Sequence, residues 1–281
     1  SHRAELRCSA AARPAACWGF EMTDPWIPLA AVGIPFLTGI AIFMLDDRQV
    51  ALRSLLNLFG AFAKLVLVGV MLWGVANGRD YGVRLAIAPG LDVALNVDAL
   101  ALLFITLSAI LWALTTVYAI GYLENAPHSS RFFGFFSLSI FATTGIALAG
   151  NLSTLFVFYE ILTLATYPLI IHRGTQEAIA AGRVYLRYTL AGGAVLLVAV
   201  AWLYVLAGPR DFVAGGFLRE LGTDHRFALI LLFAGLIAGF GVKAALFPLH
   251  GWLPVAMVAP APVSALLHAV AVVKAGAFAI I

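Results

Sequence analysis

The chain has 281 residues, of which 63% are hydrophobic and 11% charged, against roughly 25% charged in an average soluble domain. That excludes a soluble globular enzyme with a single anchor and makes this an integral membrane protein. The net charge of +3 is scattered over short connections with no basic run, which excludes nucleic acid as a partner. Cys8 and Cys17 form no CxxC pair, so no iron–sulfur or zinc site is indicated. No glycine-rich phosphate fingerprint follows a strand, so no nucleotide site and no cofactor is indicated either.

Residues 1–21 are rich in Ala and Arg and aperiodic, and Met22 is a natural start, so this leader reads as translated upstream sequence or a transit-type segment rather than structure. A bilayer core about 30 Å thick takes roughly 20 apolar residues per helix. Eight stretches answer to this, over 26–45, 55–76, 99–123, 132–149, 152–171, 185–207, 227–247 and 261–281. Backbone groups in lipid must be satisfied within the segment, so these are helices. Between the second and third, residues 81–97 alternate with period two and predict a short surface hairpin. The arginines of the connections divide six to five between the two sides, counting Arg187, so they set no orientation. The last apolar run stops at Ile281, which reads as a fragment of a longer protein, and no internal repeat is visible.

All three lysines, Lys64, Lys243 and Lys274, fall inside apolar runs, while the arginines sit in connections or at segment ends. An amine removed from water can gain and lose a proton, whereas a guanidinium stays charged. Glu160 is the one carboxylate well inside a helix. It shares a face with Ser153 and Tyr167 at steps of seven, and with Thr163 one turn on; that face must turn inward to a partner or water. The bland alternative is a structural ion pair.

Lys243 lies five residues before Pro248, which removes the hydrogen bond to the carbonyl of Ala244 and should break the seventh helix, leaving free carbonyls and room for water. Its bland reading is a side chain snorkelling to the interface. Gly235 and Gly239 form a GxxxG pair that permits close packing. His268, with Ser264 one turn before it, can pass a proton or serve as a satisfied core histidine. Lys274 follows six residues later, off that face of a straight helix. His250 and Trp252 read as a loop or interfacial belt. Lys64 reads as structural or as a contact with another subunit, with snorkelling open to it. Arg183 and Arg187 look like an interfacial cluster at the start of the sixth helix, and Asp98 like a helix N-terminal charge.

Several of these residues stand in longer motifs. Arg131-Phe-Phe-Gly-Phe-Phe, Gly150-Asn151-Leu152 and Phe158-Tyr159-Glu160-Ile-Leu-Thr-Leu are followed by Lys243, then Pro248-Leu-His-Gly-Trp252-Leu-Pro254, Ala256-Met257 and Ala259-Pro-Ala-Pro-Val-Ser-Ala-Leu-Leu-His268. With Asp98 and Tyr118-Ala-Ile-Gly-Tyr122, this pattern resembles the antiporter-like subunits of respiratory complex I and of Mrp-type cation/proton antiporters, from about residue 94 to the end. The resemblance implies an all-α fold of about fourteen helices with two inverted five-helix repeats and a discontinuous seventh helix. This chain would supply residues 22–125 as the first three helices and 126–281 as the first repeat, cut in its eighth helix.

It further implies that the acid matched by Glu160 pairs with the lysine matched by Lys243, that their separation drives proton transfer, and that His268 lies on the route onward. Lys274 is more like the Mrp-type branch. The lysine often found near residue 184 is here Val184, beside Arg183, which departs from the family pattern.

The expected function is therefore a proton-translocating subunit with Glu160, Lys243, His268 and Lys274 as its proton-transfer residues. Its partners would be other membrane subunits, protons and sodium or potassium, in a bacterial inner membrane. The chain carries no redox site, so any NADH:quinone chemistry belongs to partner subunits. The rival expectations are a structural scaffold of a hydrogenase- or dehydrogenase-type complex, a subunit of an inorganic-carbon uptake system, and a carrier of a larger organic ion.

Overall fold

The computed structural model describes residues 25–88, 91–124, 126–213, 216 and 226–281; the leader, with both cysteines, lies outside them. Among the described residues the elements are α1 (Trp26–Phe43), α2 (Val50–Ala76), β1 (Gly82–Ala88), β2 (Leu91–Asn96), α3 (Ala99–Tyr122), α4 (Ser129–Ala147), α5 (Leu152–Ile170), α6 (Gln176–Ala207) and α7 (Arg226–Lys243). A 3₁₀ turn at Leu249–Gly251, α8 (Trp252–Ala256), α9 (Ala261–Ala265), a π turn at Leu266–Val270 and α10 (Val272–Ile280) follow.

Among the described residues seven helical segments are long and apolar enough to cross a membrane, the seventh running over Ala261–Ile280. The stretch expected over 132–149 is present as α4 but is not among the seven. The physical reason is its position. Fifteen of its nineteen residues are buried, because α1, α3 and α5 pack around it. A helix wrapped by others needs no apolar face for lipid, so it can carry serines and threonines that a lipid-facing helix would not.

The hairpin expected over 81–97 forms as an antiparallel pair with Leu85 opposite Val93. It is stitched to the α4–α5 junction by backbone bonds: Asn96 N–H donates to the Leu148 carbonyl at 2.7 Å and Gly150 N–H to that of Ala94 at 2.8 Å. Arg84 on β1 pairs with Asp92 at 3.3 Å and with Asp211. Asn151 caps α5, its Oδ1 accepting from Thr154 N–H at 2.8 Å. Asp98 caps α3 in the same way, as its position predicted, with Oδ1 accepting from Ala101 N–H at 2.6 Å.

The amino end of α4 is capped from a distance. His128 in the cap position is in the left-handed region, with φ 59°, and makes no side-chain cap bond. Asp47, in the α1–α2 connection, accepts from Ser130 N–H at 2.8 Å and from His128 N–H at 3.0 Å. Those bonds, the Ser130 N–H foremost, hold the Asp47 carboxyl below the usual carboxylate range. A folded-state value below the unfolded one means the stabilisation is full above the unfolded aspartate value of about 3.9 and is lost as pH falls through the folded value. Asp47→Ala should therefore lower thermal stability at pH 7 by about 1 kcal/mol, as removal of a helix cap does. The gap between wild type and variant should close on acidification below about pH 4.

Three expectations need correction here. Lys64 does not snorkel: it is fully buried, its amine donating to Thr144 Oγ1 on α4 at 2.8 Å. Arg183 and Arg187 do not stand at the start of the sixth helix. α6 begins at Gln176, with Thr175 Oγ1 capping Ala178 N–H at 3.2 Å, so both arginines lie inside the helix, exposed on its side. The final run is not one helix. It passes through the π turn, and Ala271 with φ −119° and ψ −78° separates that turn from α10.

Candidate proton-transfer site

Lys243 is the last residue of α7 and is 1% exposed, which rules out the snorkelling alternative. Its ammonium donates to the backbone carbonyl of Tyr159 on α5 and lies 3.4 Å from the centroid of the Tyr159 ring. A desolvated cation over an aromatic face gains about 2 kcal/mol from the ring quadrupole. The Tyr159 hydroxyl in turn donates to the Phe240 carbonyl of α7 at 3.1 Å. Tyr159 thus clamps the end of α7 at both of its own ends. Sequence reading passed over it because a tyrosine in an apolar run looks like core.

Glu160 is half-buried, with Oε1 buried and without a hydrogen-bond partner among the described residues. It lies within electrostatic range of Lys243 but makes no ion pair with it inside 4 Å. Successive helix residues point about 100° apart, so an amine seated on the backbone of residue 159 lies beside the face that carries residue 160. The expected pair is therefore drawn as neighbours, with the Tyr159 carbonyl holding the lysine. The Glu160 face turns to α6. A Cβ on Gly193 would sit 2.6 Å from Glu160 Oε1, so only glycine there leaves the carboxylate its place. Tyr167, on the same face, packs where Gly182 lacks a side chain, and Ser153 lines an open pocket at the end of the bundle near Arg84 and Asp211.

The break in the seventh helix occurs one residue earlier than Pro248 alone predicts. α7 stops at Lys243, and Ala245 takes φ 53°. The Val242 carbonyl on the lysine's own turn accepts from Ala245 N–H at 3.1 Å and from Trp252 Nε1–H at 2.7 Å. Trp252 is fully buried against Tyr185, with ring centroids 5.3 Å apart. This corrects the belt reading for Trp252; His250 is exposed and stacks on Phe247. A buried hydrogen bond of this kind contributes about 1 kcal/mol. Trp252→Phe should lower the melting temperature of the purified protein in detergent by a corresponding amount.

α10 crosses directly over the break. A Cβ on Gly276 would lie 2.1 Å from Ala244 N and 2.6 Å from the Lys243 carbonyl carbon. Lys274, two residues earlier, is half-buried on this helix, and no hydrogen bond or ion pair joins it to Lys243. His268 sits in the π turn, half-buried, with Nε2 buried and lacking a partner among the described residues. π turns recur at functional sites, and with this one the stretch from His268 to Lys274 is not a straight helix. The GxxxG pair also finds a use: Gly239 packs on the Gly192 carbonyl and Leu196 of α6. Another polar contact went unread, Thr166 Oγ1 with the Tyr185 hydroxyl at 2.5 Å, linking α5 to α6.

Residues 149–281 match the family model described as "NADH:quinone oxidoreductase/Mrp antiporter, TM". Residues 88–133 match that described as "NADH-Ubiquinone oxidoreductase (complex I), chain 5 N-terminus". Among similar proteins is the antiporter protein mnhA2 of Staphylococcus epidermidis, 30% identical over 89% of this chain and 32% of its own length. A K(+)/H(+) antiporter protein of Rhizobium meliloti is 31% identical over 88% of this chain and 25% of its own length. NAD(P)H-quinone oxidoreductase chain 5 of Synechocystis is 30% identical over 82% and 35%.

Of the solved structures, a chain of the archaeal membrane-bound sulfane sulfur reductase superposes with a TM-score of 0.77 at 23% identity, over 90% of this chain and 52% of that one. A chain of the Mrp complex from Dietzia superposes with a TM-score of 0.69 at 26% identity, over 90% and 27%. The chain thus spans between a quarter and about a third of the length of these curated relatives. It is a multi-pass membrane protein and belongs to the antiporter-like family that respiratory complex I and Mrp-type antiporters share.

Proposed function

We propose that this chain is part of a proton-translocating, antiporter-like subunit of a multi-subunit complex in a bacterial inner membrane, on the Mrp side of the family. Protons exchange at Lys243, Glu160 modulates that exchange from the adjacent helix face, and His268 and Lys274 continue the route. Residues 126–281 act as the first repeat of the translocating domain. The observation that carries the reading is an amine held out of water at the end of a broken helix. An intramembrane ionisable group at such a break is functional by default.

The antiporter names of two relatives support exchange of protons for a monovalent cation. The test is proton flux in everted vesicles containing the full-length protein and its partner subunits. Addition of sodium or potassium should dissipate an imposed pH gradient, and a complex that assembles but leaves the gradient untouched would sink the proposal.

A further inference from the structure

A second polar seam runs between α2, α3 and α4, away from Glu160 and Lys243. On α2, Asn57 and Lys64 are seven residues apart and both fully buried. On α3, Ser108, Trp112 and Thr116 recur every four residues, so they share one buried face. α4 turns Ser137 and Thr144 to α2, Ser137 Oγ donating to Asn57 Oδ1 at 3.4 Å. The Lys64 amine also faces the Trp112 ring at 5.7 Å. An ammonium has three protons to donate, and Thr144 supplies one acceptor here.

The seam holds polar atoms that protein does not satisfy. Asn57 Nδ2, Ser108 Oγ, Trp112 Nε1 and Thr116 Oγ1 are buried with no partner among the described residues. Each such group costs free energy if left dry, and four gathered in one seam around an amine are what buried water is held by, at about three hydrogen bonds per water. The charged surroundings are sparse. α1 and α3 contain no charged residue, and α4 contains only Arg131. On α2, Arg53 is buried beside Asp47 at 3.9 Å, eleven residues and about 16 Å along the helix from Lys64. Its permanent charge repels cations entering from that end. At the other end the Tyr81 hydroxyl is buried against Gly74 with no partner among the described residues, next to a cavity of about 720 Å³ lined by Asp80 and Asp98.

We infer that this seam holds a chain of internal water and that Lys64 is a second proton-exchange site, open to the hairpin end and closed at the Arg53 end. The amine takes a proton from a hydronium ion, leaving water, and returns it to water by the same side. No other bond changes. The site would store and release a proton as Glu160 and Lys243 cycle.

Two measurements on the full-length protein in its complex test this. A high-resolution cryo-EM map should show ordered waters contacting Trp112 Nε1, Ser108 and Thr116; a dry seam overturns the inference whatever the complex transports. In the vesicle assay, Lys64→Met and Lys64→Arg should both lower proton flux several-fold, since neither side chain can cycle a proton. Full flux in Lys64→Arg would mean that the charge is structural, and would also overturn it. Ser108→Ala, which leaves Lys64 in place, should lower flux as well; unchanged flux with the waters retained would count against the site. The flux arm rests on the proposed proton transport and the density arm does not, so a wild-type complex that moves no protons leaves the hydration result standing on its own.

Discussion

Replacing Lys243 by alanine is expected to abolish proton flux through the full-length protein while membrane insertion and assembly persist. Loss of a positioned proton-transfer group commonly costs ~10²-fold or more in rate, which in a vesicle assay is indistinguishable from background. Insertion should survive because the variant removes a buried amine rather than stranding one, and the Tyr159–Phe240 clamp does not need it. Lys243→Arg divides the explanations. A guanidinium keeps the charge and its attraction to the Tyr159 carbonyl and ring but holds its protons permanently. Proton exchange at residue 243 requires this variant to be inactive too. A scaffold that needs only charge would tolerate it, and one in which the two charges merely offset each other would tolerate Glu160→Gln combined with Lys243→Met. Full transport in either would defeat the assignment.

The second large effect is expected at Glu160. Beyond 4 Å, at an effective dielectric near 20, two unit charges interact by no more than about 4 kcal/mol. That ceiling is large enough to govern the pH dependence of flux and too small to be the whole machine. Glu160→Gln should therefore lower flux by about tenfold, the rate effect of ~1.4 kcal/mol, and displace its pH profile, where Lys243→Ala leaves no profile to measure. Gly193→Ala supplies an independent probe that leaves the acid intact. The added Cβ would stand 2.6 Å from Glu160 Oε1, so the carboxylate must move, while an alanine within α6 favours the helix by about 1 kcal/mol. Reduced flux in a protein of equal or greater stability would tie function to the placement of this carboxylate. Unchanged flux and profile in both variants would remove Glu160 from the mechanism.

Much of the architecture was legible because lipid leaves a chain few choices. Apolar length located the helices, and alternation located the hairpin at 81–97. A proline five residues past a lysine located the helix break to within a residue. The partners of the charged groups were not legible. Snorkelling stays open to Lys64 beside the structural reading because nothing in α2 shows that Thr144 and Trp112, on two other helices, close over it. Trp252 reads as a belt residue in sequence, since its role depends on a carbonyl ten positions earlier. Hydrophobicity alone sets the start of α6 nine residues late, at 185 rather than 176. The cap at Thr175 and Glu177 in the first turn were the available signal. The π turn at Leu266–Val270 has no counterpart in the apolar pattern, which is uniform through it.

The attachment of the hairpin bears on how Glu160 can move. α5 begins at a junction fixed on several sides: Asn151 donates to the Asp92 carbonyl at 3.1 Å, and Ala94 N–H to Thr154 Oγ1 at 2.9 Å. Glu160 stands six residues, about 9 Å, above that foundation. A helix bolted down so close to its acid cannot slide as a piston without tearing the bolts. Any stroke that parts the carboxylate from the amine must come from rotation about the acid's own side-chain bonds, or from the opposite wall, where α7 is already severed and α10 rests across the cut.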